Sequence, residues 1–119
     1  AKQAVADLIA AGTKFNVVYA ENDNMARGAC AAMDAAGITY GKTGDVKVIA
    51  FDANKWALQN VFDGKFNLDV ECNPLHGTRL VTLIQSLEKG ETIEKNVYID
   101  EEMFDTATIT QAVVDARSY

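Results

Sequence analysis

"VVYAENDNMARGA", residues 17–29, is the stretch on which the reading of this chain turns. An apolar run passes through Glu21, Asn22, Asp23 and Asn24 into an alanine-rich segment, with no glycine or proline at the junction. A strand that ends where a helix begins is the unit from which parallel sheets are built. Asn and Asp are preferred helix caps, and ligands gather at the carboxyl ends of parallel strands, so the four polar residues either cap the helix or face a ligand.

The same alternation continues in both directions. Strands are predicted over Asn16 to Ala20, Val46 to Phe51 and Phe66 to Glu71. The helix after the first runs from Asp23 to Ala36, with Met25, Ala29, Ala32, Met33 and Ala36 at core spacing and Gly37 as its stop. A shorter one runs from Asn54 to Phe62, closed by Gly64. Upstream, "AKQAVADLIAAG" (residues 1–12) reads as an amphipathic helix with Val5, Leu8 and Ile9 on one face. Downstream, Pro74 is placed to open a helix to Lys89 that buries Leu80, Leu83, Ile84 and Leu87. A short extended piece, Asn96 to Ile99, and a last helix from Thr108 to Arg117 on Ile109, Val113 and Val114 complete the chain. The fold class is α/β, a parallel sheet with flanking helices. Three central strands are few for an independent doubly wound domain, which leads us to expect missing elements before residue 1.

A chain of 119 residues, 49% apolar, allows one domain with a core. Seventeen acidic against eleven basic side chains give a net charge of −6, and no Lys/Arg cluster supplies the footprint of a nucleic-acid or anionic-membrane binder. No apolar run approaches the ~18 residues of a membrane span, and the first residues lack the features of a signal peptide. Cys30 and Cys72 fit no zinc spacing; one inside a helix and the other at a strand end, they would sit at different levels of the sheet and not be easily bridged.

The three strand ends read "AEND", "AFDAN" and "VECNP", placing Asn22 and Asp23, then Asp52 and Asn54, then Glu71, Cys72 and Asn73 at one rim. Each residue alone is explained by capping. Three polar rims together point to a shared site, because Asp accepts while Asn both donates and accepts, the chemistry that holds vicinal hydroxyls. Other motifs carry less. "GITYGKT" (37–43) has its glycines one residue too close for a phosphate loop and lies after a helix rather than before one. "ENDNMARGACAA" lacks the glycine and glutamate of a calcium loop. His76 is the only histidine, so no histidine metal cluster exists, and it is expected at or near the surface on a first helical turn. Trp56 is expected to pack its helix against the sheet rather than stack on a sugar. No nucleophile comes with a recognisable base, so neither covalent catalysis nor a metal or other cofactor is expected.

Taken in order, "VVYAENDNMARGACAAMDAAG", "DVKVIAFDANKWALQNVFDGKFNLDVECNP" and "LIQSLEKGE" resemble the C-terminal part of a type I periplasmic sugar-binding protein of the ribose-binding-like group. "VECNPL" is similar to members that bind hexoses as furanoses, such as the galactofuranose-binding proteins. The resemblance implies a non-enzymatic solute-binding component of a sugar ABC importer, periplasmic or extracellular, that closes two lobes around a pentose or hexose and delivers it to a membrane permease. It implies that Asn22 and Asp52 hydrogen-bond sugar hydroxyls. The family's usual glutamine falls at Cys72, a poorer hydroxyl partner, so Asn73 or Glu71 would serve instead. It implies a partial C-terminal lobe in residues 1–72 and 101–119, with residues 73–100 packing on an absent first lobe. By that reading the first strand is an open edge, Leu80, Leu83 and Leu87 are exposed unless another chain covers them, and the chain self-associates or joins the missing part. The alternative is the effector-binding domain of a sugar-responsive repressor; the acidic balance and "ETIEKNVYIDEEMF" (91–104) favour transport.

Overall fold

In the computed structural model, which describes residues 1–119, the apolar runs become strands Val17–Tyr19 (β1), Lys47–Asp52 (β2) and Leu68–Glu71 (β3). These lie side by side in chain order and parallel, and Met103–Asp105 (β4) adds antiparallel to β3. The helices are Lys2–Ala10 (α1), Asp23–Ala35 (α2), Lys55–Phe62 (α3), Gly77–Glu88 (α4) and Gln111–Ala116 (α5). Register is set partly by a side chain: Asn67 Oδ1 accepts the Val48 N–H at 2.9 Å where β3 has not yet begun.

The core forms around β2, whose Val48 and Ala50 are fully buried together with Ala26 and Met33 of α2 and Ala57 and Val61 of α3. So many alanines let the helices lie close on the sheet, and Phe66 fills what remains. α1 rests on α2 where Gly28 leaves room; a Cβ there would come within 3.1 Å of the Lys2 nitrogen. A smaller cluster of Ala53, Leu58, Phe104 and Val114 joins β4 and α5 to the lobe.

Several predicted burials are corrected. Met25, Ala36 and Leu8 are exposed: α2 turns a narrower face to the sheet than the spacing suggested, with Ala26 and Cys30 at the inner positions, and α1 rests on α2 and leaves Leu8 outside that contact. Pro74 does not open a helix. Asn73 Oδ1 accepts the Leu75 N–H at 2.8 Å and the Pro74 carbonyl accepts from His76 at 2.9 Å, which spends these residues on a turn and delays α4 to Gly77. Asn96 to Ile99 forms no strand, since no neighbour offers it a ladder, whereas β4, three residues long, was not predicted. The last helix spans only Gln111–Ala116, capped by Thr110.

α4 buries none of its residues: Leu80, Ile84 and Leu87 are each more than half exposed and Leu83 is half-buried, against the burial predicted from their spacing, while the exposure of Leu80 and Leu87 agrees with what the resemblance implied; Val81 is exposed as well. The molecule measures 60 × 32 × 17 Å with a Cα radius of gyration of 18.2 Å, where a compact domain of this length would have about 13.5 Å. The excess is the arm of residues 73–100 standing off the lobe, steadied by Arg79 donating to the Tyr98 carbonyl at 2.6 Å. On the opposite flank β1 is an edge strand with Val17 and Tyr19 exposed.

The "GITYGKT" loop gathers carbonyls rather than amides: the Lys47 ammonium donates to Gly41, Lys42 and Gly44 oxygens at 3.0–3.2 Å. That is the reverse of a phosphate cradle, which needs converging N–H groups. Gly41, at φ 85°, is also pressed against the Gly64 carbonyl, 2.2 Å from where a Cβ would stand.

Candidate functional site

The parallel register brings the strand ends level. Asp52 pairs with Glu71, and the Cys72 N–H reaches the Asp52 carbonyl at 3.4 Å, while the Tyr19–Ile49 pairing carries Asn22 to the same rim one strand away. Asn22, Asp52, Cys72 and Asn73 therefore follow adjacent strands at one edge of the sheet.

Their side chains are in different states. Asn22 is the N-cap of α2, its Oδ1 accepting the Met25 N–H at 2.8 Å, which leaves its Nδ2 donor unengaged. Of the polar residues at this junction, Asn22 rather than Asp23 or Asn24 is the cap; Asn24 instead accepts from Arg27 at 2.8 Å. Asp52 ends β2 in the left-handed region at φ 112°, followed by Ala53 at φ 56°. Two non-glycine residues there store local strain of order 1–3 kcal/mol each. The Asp52 carboxylate is half-buried and joins none of the chain's hydrogen bonds, so its acceptors remain available. Cys72 is an exposed free thiol. Asn73 commits its Oδ1 to Leu75 and its N–H to Glu101, keeping only Nδ2.

Glu71 is not available as a substitute. It is buried, paired with Arg117 and the Tyr119 hydroxyl, and accepts the Glu102 N–H. Burial pushes its carboxyl up, but Tyr119, Arg117 and the Glu102 amide together outweigh that and hold it below the usual range. Arg117 also lies over the Phe104 and Tyr119 rings, at 5.1 and 4.8 Å. This latch ties the chain leaving the lobe after β3 to the chain returning before β4. Trp56 packs edge-on to Phe66 at 6.4 Å with Arg27 over its face, and His76 is exposed at the N-cap of α4.

Beneath the rim lies a feature that the sequence reading missed. Asp23 and Asp69 are both fully buried and bracket the strained turn: Asp23 Oδ2 accepts from the backbone N–H and the side-chain amide of Asn54, each at 2.9 Å, and Asp69 Oδ1 accepts the Ala53 N–H at 3.3 Å. Burial, and for Asp69 also the neighbouring Asp23, pushes both carboxyls up, Asp69 to about 8. A signal was present: an aspartate between Leu68 and Val70, in a strand next to the centre of a parallel sheet, needs a buried partner.

Polar side chains on loops at the carboxyl edge of a parallel sheet make a lobe of the kind that holds small polar solutes. The chain belongs to the periplasmic binding protein domain family, whose model matches residues 1–92. It is 36% identical to the fructose import binding protein FruE of Bifidobacterium longum over 96 residues, 81% of this chain and 28% of that protein. A Mycobacterium smegmatis protein in complex with β-D-fucofuranose superposes with a TM-score of 0.82 at 38% identity, over 97% of this chain and 36% of that one. The binding component of the arabinose ABC transporter of Shewanella sp. ANA-3, bound to α- and β-L-arabinofuranose, gives 0.84 at 26% identity, over 98% and 39%. The chain thus spans about a third of the length of the proteins it matches, which are type I periplasmic binding proteins.

Proposed function

We propose that this chain is the sugar-holding rim of a solute-binding protein for an ABC importer. It takes up a pentose or hexose outside the cytoplasmic membrane, in furanose form, without converting it, and presents it to a membrane permease. The observation that carries the reading is Asp52: a carboxylate with unengaged acceptors, on a strained turn at the end of the central strand, level with the spare amide of Asn22. Asp52 accepts from two neighbouring hydroxyls, Asn22 donates to a ring or hydroxyl oxygen, and Asn73 Nδ2 adds a donor beside Cys72. The furanose preference is supported by the relatives solved with fucofuranose and arabinofuranose.

In the same reading residues 1–72 and 101–119 are part of a C-terminal lobe, and residues 73–100 reach across to a first lobe that supplies the other half of the site. The exposed leucines of α4 and the unpaired edge of β1 support this, and make self-association the expected behaviour of the chain by itself.

The test is calorimetric titration of the natural-length protein with D-fructose, D-fucose, L-arabinose and D-ribose. One of these should bind, and Asp52→Ala should weaken that sugar about 10- to 100-fold, the loss of a charge-assisted pair of hydrogen bonds. Unchanged affinity in Asp52→Ala would remove Asp52 from the site.

A further inference from the structure

Asp23 and Asp69 come from elements 46 positions apart in sequence and meet under the Asp52–Asn54 turn. Each has one oxygen engaged with that turn. The other, Oδ1 of Asp23 and Oδ2 of Asp69, is fully buried and has no partner in the chain. The two carboxyls are within hydrogen-bonding reach of each other, yet two ionised carboxylates can only repel. A single proton between them satisfies both orphaned oxygens at once.

We propose that Asp23 and Asp69 share one proton and act as positioning residues that clamp the Asp52–Asn54 turn, so that Asp52 is presented to the sugar only while that proton is held. The sugar part of this rests on the function proposed above; the shared proton and the clamp do not. The chemistry is balanced simply. When the proton leaves to solvent, the pair becomes a dianion, one carboxylate withdraws, and either the Ala53 or the Asn54 N–H loses its acceptor.

The strain at Asp52 and Ala53 shows why a clamp is required. Both residues sit at positive φ without being glycine, so the turn relaxes unless its amides are held from outside. The Ala53 and Asn54 amides are held, and by these two carboxylates. α2 brings Asp23 to the pair, β3 brings Asp69, and β2 brings Asp52, which faces both carboxyls with a further negative charge. Neither carboxyl is in ion-pair contact with a Lys, Arg or His; the chain's one such pair is Arg117 with Glu71. With no ion-pair partner, a proton is what reconciles the two buried carboxyls, and burial raises the pH at which it is lost.

The experiment follows amide exchange at Ala53 and Asn54, as protection factors, together with titrations of D-fructose, D-fucose, L-arabinose and D-ribose, on the natural-length protein from about pH 6 to about pH 9. Protection at both amides should fall with rising pH by up to about tenfold per unit once the pair titrates, with Kd rising in parallel. Asp69→Asn supplies a permanent N–H in place of the proton and should flatten both profiles. Asp69→Ala should weaken the sugar at least about tenfold at pH 6, with the Asn variant restoring most of the loss. Should the Ala variant fail to fold, the Asn variant's pH profile decides alone. A flat wild-type profile, or a slope that survives in Asp69→Asn, overturns the proposal. If none of D-fructose, D-fucose, L-arabinose and D-ribose binds while the amide slope is present and Asp69→Asn removes it, the sugar reading fails and the shared proton is supported. If a sugar binds and both wild-type profiles are flat, the reverse holds.

Discussion

At the scale of single residues, the chain assigns its polar side chains by what the backbone beside them lacks. Asn22 sits at an extended backbone position before α2, where the free N–H groups of the first turn need an acceptor, and its Oδ1 supplies it. Asp23, one residue later, is already helical and turned inward, so it serves another element instead. That division was open in the sequence, because the four polar residues of "ENDN" are chemically alike and only the helix start decides which of them caps. The same logic governs Gly41, where a positive φ and the Gly64 carbonyl both exclude a side chain. Gly41→Ala should lower stability by about 2 kcal/mol or more, from strain and overpacking combined, read as a fall in the denaturant midpoint at unchanged slope. A variant as stable as the parent would show that the 37–46 loop yields freely.

Among elements, legibility followed the number of residues that repeat a pattern. β2 and α2 carry six and thirteen residues of consistent periodicity and were predicted within a residue or two. β4 has three, of which only Phe104 is buried, too short a run to separate from the acidic segment before it. α4 was legible as a helix and misread in burial, since an apolar stripe states that a face is to be covered and not by what. The contacts that join elements were the least legible, because Glu71 with Arg117, or Asp23 with Asp69, lie 46 residues apart and share no local signature. The first of these is testable by itself. Arg117→Ala leaves a buried carboxylate uncompensated and strips the cover from Phe104, which should cost about 3 kcal/mol near neutral pH. Because the folded-state pKa of Glu71 is depressed, its share of stability is present above the ordinary glutamate range and is lost as pH falls through the lowered value. The gap in melting temperature between parent and variant should therefore close on acidification; a gap constant from neutral pH to acid would show that Arg117 acts by packing alone.

For the molecule as a whole, shape and surface tell the same story. An extent of 60 Å with only 20 of 119 residues buried leaves apolar faces on two flanks, the β1 edge and the α4 stripe. Leu80→Lys with Leu87→Lys should change the stability of the chain by no more than about 0.5 kcal/mol, as expected for exposed positions, while lowering the self-association proposed above, read by sedimentation. A clear loss of stability in the double variant would mean that α4 is covered by its own chain. The two cysteines differ at this scale as well. Cys30 is buried, and its thiol is pushed up to about 11, chiefly by burial, so it resists reaction, whereas Cys72 stands exposed directly after the strand that ends beside Asp52. A maleimide dye would thus attach at a single address on the native chain, with no engineered cysteine, and its fluorescence would report occupancy of the neighbouring rim as an optical signal.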